Sequence, residues 1–225
     1  MILKMIEKRI TALTVQKRNP NRVNVYLDGE FAFGLSRIVA AWLEQGRLLT
    51  QQEIEELVHK DTSEVAFQKA IKLLDYRPRT GHEIRQKLQQ KGFESGQIEQ
   101  VMERLISANL IQDGKFAASW VESRNQFRPS SQRVLRYELR GKGIDEEIIE
   151  EALKGSAEDL ELAQQAAQKM VRRLTNLEWQ EFRKKLSAFL ARRGFSYETV
   201  AQVVKTSWDE LQSEATILEN EEFGK

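Results

Sequence analysis

Leu139-Arg140-Gly141-Lys142-Gly143-Ile144 is the middle copy of a motif, Leu-x-x-(Lys/Arg)-Gly-(Phe/Ile), that occurs three times in this 225-residue chain. The motif glycines are Gly92, Gly143 and Gly194, and both gaps between them are 51 residues. Two equal gaps indicate that one unit was used three times without a net insertion. The chain is therefore interpreted as an array of repeats before any single motif is considered.

Sliding the chain by 51 residues also aligns an apolar pair in each unit. The two members are four residues apart, a spacing that places both on the buried face of a helix. The pairs are Ile84 and Leu88, Leu135 and Leu139, and Leu186 and Leu190. A glycine after a helix, preceded by a cation, is typical of a helix C-terminus. The motif leucines and glycines are therefore assigned to the architecture.

Each unit is predicted to contain three helices, which bury little core unless neighbouring units also pack together. The expected fold is mainly α, with three tandem three-helix repeats in an elongated, curved array and a small N-terminal β-hairpin or three-stranded β element. The repeats are expected at residues 61–110, 111–155 and 156–212. The β element with short helices is expected at 1–60, and an acidic tail at 213–225.

Residues 10–34 carry the strand signal. Apolar residues alternate with other residues on both sides of Asp28-Gly29, which predicts a hairpin. A three-residue loop, Leu27 to Gly29, would place Val25 and Phe31 on one face, whereas a two-residue loop would place them on opposite faces. We favour the three-residue bulged turn. Ile10 to Gln16 is the candidate third strand.

Helical signals follow Gly34. Ser36 is predicted to cap a helix that ends near Gly46, and Thr50 with Glu53 is predicted to form a capping box. A separate helix, the first of the first repeat, is expected from Asp61 to Asp75, since the residue before Pro78 is disfavoured in a helix.

Composition argues against several chemistries. The chain has no cysteine, which is typical of a protein in a reducing cytoplasm. His59 and His82 are isolated, so a metal site is not expected. No apolar run approaches the ~18 residues of a membrane span, and the first ten residues lack a signal-peptide core. Phosphate-binding loops and nucleophile elbows are also missing. We predict a cytoplasmic protein that is not an enzyme and has no cofactor.

The net charge of +1 conceals segregation along the chain. Residues 115–142 contain seven basic and two acidic residues, residues 145–161 eight acidic and one basic, and residues 169–193 eight basic and two acidic. A neutral total is therefore compatible with a polyanionic partner.

Arg133, Arg136 and Arg140 are the strongest candidates for such a contact, because their spacing places three guanidiniums on one face of a helix. Glu138 is the only acid nearby on that helix, so contact with phosphate or an acidic protein is favoured over a merely solvated face. The candidate set comprises Arg77, Arg79, Arg85, Lys91, Arg124, Arg128, Arg133, Arg136, Arg140, Lys142, Arg183, Lys184, Arg192 and Arg193. Trp42, Trp120, Trp179 and Trp208 are interpreted as packing residues.

Four stretches together resemble one protein family. They are Arg79 to Ile84, Phe116 to Arg124, Glu138 to Ile144 and Phe189 to Phe195. These residues closely resemble the RecX family of regulators of the RecA recombinase, and the likeness spans roughly residues 62–205. Ser130-Ser131 depart from the family, which often has glycine before the middle helix.

The resemblance implies a protein that binds the RecA-DNA filament along its groove and modulates, most simply by inhibition, its ATPase and strand exchange in recombination and DNA repair. A monomer is expected. Two alternatives stay open: a DNA-binding protein without sequence preference or a recombinase partner, and a helical scaffold with protein partners only. Fold alone cannot choose among them.

Overall fold

The computed structural model describes residues 7–223, with side chains to residue 213. Within this range the chain forms ten α-helices and four β-strands, so the predicted mainly helical class is confirmed. The chain divides after Ile111 into two compact units. The first unit holds the β-sheet and one three-helix domain, and the second holds two further three-helix domains.

An antiparallel sheet begins the first unit, with strand order β3-β2-β1-β4. Its strands are β1 (Lys8–Gln16), β2 (Asn19–Leu27), β3 (Glu30–Ser36) and β4 (Leu48–Leu49). The predicted third strand is β1, whereas β4 was not predicted. Ile10, Val25, Leu35 and Leu49 are fully buried and form the centre of the sheet's core.

The turn between β2 and β3 differs from the prediction. Leu27 pairs with Glu30, so the loop is the two-residue Asp28-Gly29 rather than a three-residue loop. Both residues have positive φ, 51° for Asp28 and 93° for Gly29. This is the backbone that a tight hairpin turn requires, because its twist matches that of the two strands.

The irregularity lies inside the ladder instead. Tyr26 pairs with Phe31 and Val25 pairs with Phe33, so one residue of β3 has no opposite partner. Phe31 therefore lies on the face opposite Val25, where it is 58% exposed and packs edge-on against Tyr26. Val23 and Val25 are buried and Phe33 is partly buried against the same core, whereas Phe31 is exposed.

After the short helix α1 (Arg37–Ala40), a single helix α2 (Gln51–Tyr76) replaces the two helices expected here. The predicted capping box of Thr50 and Glu53 is confirmed. Asp61 does not begin a helix but lies inside α2, where its buried carboxylate accepts hydrogen bonds from Arg22 Nη2 at 2.8 Å and from the Ser36 amide. This carboxylate ties the middle of α2 to the sheet. Ser36 makes no side-chain cap for α1.

The first three-helix domain combines the end of α2 with α3 (Gly81–Gln89) and α4 (Ser95–Ser107). Ile84 and Leu88 are fully buried, as predicted, and pack with Val101 and Leu105 of α4. The Thr80 hydroxyl accepts the Glu83 amide at 3.1 Å and caps α3.

The second unit repeats this arrangement twice. The second domain comprises α5 (Asp113–Phe127), α6 (Gln132–Gly141) and α7 (Glu146–Lys154), and the third comprises α8 (Asp159–Val171), α9 (Trp179–Ala191) and α10 (Tyr197–Phe223). The predicted pairs Leu135 and Leu139, and Leu186 and Leu190, are fully buried in the two cores. The backbone of α10 continues past residue 212, where the third repeat was expected to end. No described helix has an apolar stretch long enough to cross a bilayer.

All three motif glycines have left-handed backbone, with φ of 83°, 71° and 85° for Gly92, Gly143 and Gly194, which confirms their role at helix ends. Gly194 has a further reason to be glycine. A Cβ atom there would lie 2.3 Å from Val134 Cγ2 and 2.7 Å from Ser131 Oγ. The third motif therefore packs directly against the beginning of α6 in the second domain.

Candidate functional site

Two of the three arginines of α6 are paired with acids, contrary to the expectation drawn from Glu138 alone. Arg136 Nε lies 2.6 Å from Glu150 Oε1, and Arg140 Nη2 lies 2.5 Å from Glu146 Oε1. Both acids belong to α7, which packs beside α6. The hydrogen bond from Arg136 lowers the pKa of Glu150, and that from Arg140 lowers the pKa of Glu146.

The same bridge exists one repeat earlier. Arg85 Nε lies 3.0 Å from Glu99 Oε1, and both positions precede Arg136 and Glu150 by 51 residues. The hydrogen bond from Arg85 likewise lowers the pKa of Glu99. The repeat spacing thus contained a signal for this pairing, since each arginine recurs with an acid 14 residues after it. In the first two domains, this bridge links the second helix to the third.

A cluster of Trp120, Arg124, Glu138 and Lys142, termed here the Trp120 cluster, connects α5 to the end of α6 in the second domain. The Glu138 carboxylate accepts hydrogen bonds from Trp120 Nε1 at 2.8 Å and from Arg124 Nε at 2.7 Å. The Arg124 guanidinium and the Lys142 ammonium lie over the Trp120 ring, 4.4 and 4.3 Å from its centroid. These distances permit cation-π attraction.

The Trp120 cluster opens to solvent in a shallow cavity of about 630 Å³, beside the exposed ring of Tyr137. Trp120 also packs against the core of its domain, as predicted. Two cations over one aromatic ring, with Glu138 as the one acid of the cluster, give the Trp120 cluster a net positive charge. A site of this charge suits a phosphate or a carboxylate of a partner.

Three other candidates contact backbone oxygens and stabilise the fold. Arg79 Nε donates to Leu73 O at 2.9 Å, and Arg77 donates to Pro78 O and to the Glu83 carboxylate, so both secure the passage from α2 to α3. Arg193 Nη1 donates to Pro129 O at 2.8 Å. Burial, together with the charge of Arg128, lowers the pKa of Arg193.

Arg133 points to the same junction, since its Nη2 lies 3.3 Å from Gly194 O. Sequence reasoning grouped Arg133, Arg136 and Arg140 as one face. The structure separates them: one guanidinium contacts the third domain, and two are bridged to α7.

The remaining candidates are exposed side chains, and no described acid lies within ion-pair distance of them. They are Lys91, Arg128, Arg183, Lys184 and Arg192. Arg183 and Lys184 both border one large groove in the third domain, between α9 and α10. This groove was not predicted from the sequence.

The tryptophans divide into two groups. Trp179 and Trp208 pack on Phe182 in the third domain, with the Trp208 and Phe182 ring centroids 5.1 Å apart, as predicted. Trp42 is 85% exposed, so its assignment to packing is wrong. Among the side chains of residues 7–213, no three from His, Cys, Asp or Glu are placed to hold a metal ion.

Comparison with known proteins identifies the N-terminal sheet and the three three-helix domains. Family models described as RecX first, second and third three-helix domains match residues 66–105, 113–153 and 157–204. The model of the regulatory protein RecX N-terminal domain matches residues 8–50. The chain belongs to the RecX family. The regulatory protein RecX of Bacillus pumilus is 31% identical over 209 residues, which cover 91% of this chain and 80% of that protein.

Further RecX proteins are similar to this chain in sequence and in fold. The regulatory protein RecX of Clostridium perfringens is 31% identical over 88% of this chain and 95% of its own length. A crystal structure of regulatory protein RecX superimposes with a TM-score of 0.70 at 28% identity, covering 87% of this chain and 98% of that one. RecX from Lactobacillus salivarius gives a TM-score of 0.58 at 25% identity, over 66% and 97% of the two chains. RecX proteins are named as regulators.

Proposed function

We propose that this chain is a non-catalytic, cytoplasmic regulator that binds the RecA-DNA filament along its groove, as a monomer, and inhibits its ATPase and strand exchange. The observation that carries the proposal is that all four RecX domain models match, in order, across residues 8–204. The Trp120 cluster and the exposed cations of the third domain supply surfaces of the charge that a nucleoprotein partner would attract.

The test is the DNA-dependent ATPase of purified RecA on single-stranded DNA, titrated with this chain up to saturation. Inhibition at or below one chain per RecA protomer is expected, because an inhibitor bound along the filament acts on several neighbouring protomers. An unchanged rate at saturating protein would remove the proposal. RecA lacking DNA provides the control for nonspecific effects on nucleotide binding.

A second function, DNA binding without a recombinase, is favoured by one observation. Arg183, Lys184 and Lys205 are exposed, and no described acid lies within ion-pair distance of them. If these three cations contacted phosphates of a single strand, the slope of log affinity against log salt would be about −2, at roughly −0.7 per phosphate. Tight, salt-dependent DNA binding with no effect on the RecA ATPase would select this second function.

A further inference from the structure

At the groove between α9 and α10, the third repeat lacks the bridge that the other two repeats contain. The positions equivalent to Arg85 and Arg136 fall on Ser187, and those equivalent to Glu99 and Glu150 fall on Ala201. Both small residues line the groove. In the first two domains, two long side chains form an ion pair between the second and third helices. In the third domain, the same place is open space.

The groove is large and has an apolar floor. Its volume is about 1220 Å³, above the ~300–1,000 Å³ that is usual for small-molecule sites. Val200 and Val204 are almost completely buried beneath it, and Phe195 closes one side. Small residues along both walls let a polypeptide backbone approach closely. These dimensions suit a segment of protein more than a metabolite.

The charged residues that line the groove indicate which kind of protein segment it would bind. Arg183 and Lys184 stand on the α9 wall and Lys205 on the α10 wall, and no described acid pairs with any of them. Asp209 is the single acid among the residues that line the groove. The groove is thus an apolar channel between cationic walls, which complements an acidic segment with an apolar stripe.

Nucleic acid fits this groove less well. Stacking of bases requires free aromatic faces. Trp179 and Trp208 are instead packed against each other, with ring centroids 5.4 Å apart, and both pack on Phe182. Among the aromatic residues that line the groove, Tyr197 alone is largely exposed, at 88%, and a single free ring does not provide the successive stacking surfaces of a single-strand site.

We infer that the α9–α10 groove is a docking site for an acidic, amphipathic helix of a partner protein. The inference deepens the proposed function, because it assigns to the third domain the chemistry of the protein surface that it recognises. Apolar side chains of the helix occupy the floor over Val200 and Val204, and its carboxylates pair with Arg183, Lys184 and Lys205.

The experiment uses the full chain and a fluorescein-labelled synthetic peptide of about 20 residues, enough for a helix of ~30 Å, with leucine on one helical face and glutamate elsewhere. Anisotropy measures binding, and a scrambled peptide of the same composition is the control. The wild type is expected to bind the amphipathic peptide and to discriminate against the scrambled one by at least about tenfold. Equal or absent binding of both would overturn the inference.

Two variants test the location. Ser187→Arg/Ala201→Glu rebuilds the bridge of the first two domains and closes the groove, so the affinity for the peptide is expected to fall by about tenfold or more, which is ~1.4 kcal/mol. Lys184→Glu/Lys205→Glu should have a similar effect. Lys169→Glu/Arg172→Glu, exposed cations outside the groove, makes the same change in net charge and is expected to bind normally. Unchanged affinity in the bridged variant would overturn the inference.

The proposed function is judged separately. None of these measurements contains RecA, so peptide binding can succeed while the RecA ATPase is unaffected, or the reverse. A labelled oligo-dT strand is titrated in parallel. If the bridged variant loses the strand but keeps the peptide, the groove is a nucleic-acid site and the inference is overturned.

Discussion

The amide of Ser131 donates a hydrogen bond to the carbonyl of Arg193 at 3.0 Å, joining the start of α6 to the third repeat motif. The guanidinium of Arg193 continues the junction by donating to Pro129 O. Gly194 must pass close to Val134 at the same place. The repeated motif is therefore a helix end in all three domains and, in its third copy, also a contact between domains.

Replacing Gly194 with alanine is expected to destabilise the chain more than the same change at Gly92. Both glycines have positive φ, so both variants incur the left-handed strain of roughly 1–2 kcal/mol. A Cβ at residue 92 meets nothing within 4 Å, whereas at residue 194 it meets Val134 and Ser131, which adds about 1–3 kcal/mol of overpacking. Chemical denaturation compares the two variants. Adding Val134→Ala to Gly194→Ala should restore part of the loss, and equal losses at the two glycines would contradict the packing argument.

The bridged arginines of α6 are expected to matter less for partner binding than the exposed cations of α9. Arg136→Ala/Arg140→Ala removes two guanidiniums that already interact with Glu150 and Glu146. Arg183→Ala/Lys184→Ala removes the same charge from side chains with no described acidic partner. Filament co-sedimentation should show a loss of about tenfold for the second pair and a smaller loss for the first. The opposite ranking would identify the α6 face as the interface.

Lys142 is expected to contribute directly to filament binding, because the Trp120 ring positions its ammonium group at the edge of an open cavity. Lys142→Ala should weaken binding severalfold. If the contact is to a phosphate of single-stranded DNA, the salt slope should become shallower by about 0.7. Lys154→Ala provides the control, since it removes an exposed lysine that pairs with Glu151 on α7. Identical effects of the two substitutions would indicate a general charge effect.

Stability should depend on pH through the two equivalent bridges. Arg85 and Arg136 lower the pKa values of Glu99 and Glu150 below the ordinary 4.5. The carboxylates of Glu99 and Glu150 therefore bind protons less readily in the folded state than in the unfolded state. The stabilisation is complete above pH 4.5 and is lost as the pH falls through the lowered values.

Glu99→Gln/Glu150→Gln should accordingly have a lower melting temperature than the wild type near neutral pH. The difference should shrink as the pH falls below 4.5 through the lowered pKa values, because the wild-type carboxyl groups then become protonated and resemble glutamine. Thermal unfolding at neutral pH and at a series of acidic pH values measures this. A difference that is constant with pH would mean that the bridges contribute nothing beyond hydrogen bonding.

The 51-residue spacing was enough to predict the helical cores, because two apolar residues four positions apart lie on one face of a helix and are buried together. Leu88, Leu139 and Leu190 are all fully buried. The partners of the arginines were harder to predict, because Glu150 lies 14 residues beyond Arg136 on another helix. A comparison confined to one helix finds Glu138 instead, which contacts Arg124 and Trp120.

Other features depended on tertiary context that no local pattern contains. Asp61 resembles the first residue of a helix, but its carboxylate contacts Arg22, which is 39 residues earlier in the chain. The groove of the third domain is visible in the sequence only as Ser187 and Ala201 at positions where the other repeats have an ion pair. Small residues alone do not indicate open space, so the groove could be identified only from the packing of the helices.

The continuity of α2 limits how this protein can be divided. A helix of 26 residues is about 39 Å long, and its first half packs against the sheet while its second half belongs to the first three-helix domain. A cut near residue 60 would sever a helix and separate Asp61 from Arg22. The N-terminal sheet and the first domain therefore form one inseparable building block, and functional truncations or chimaeras should keep the two together.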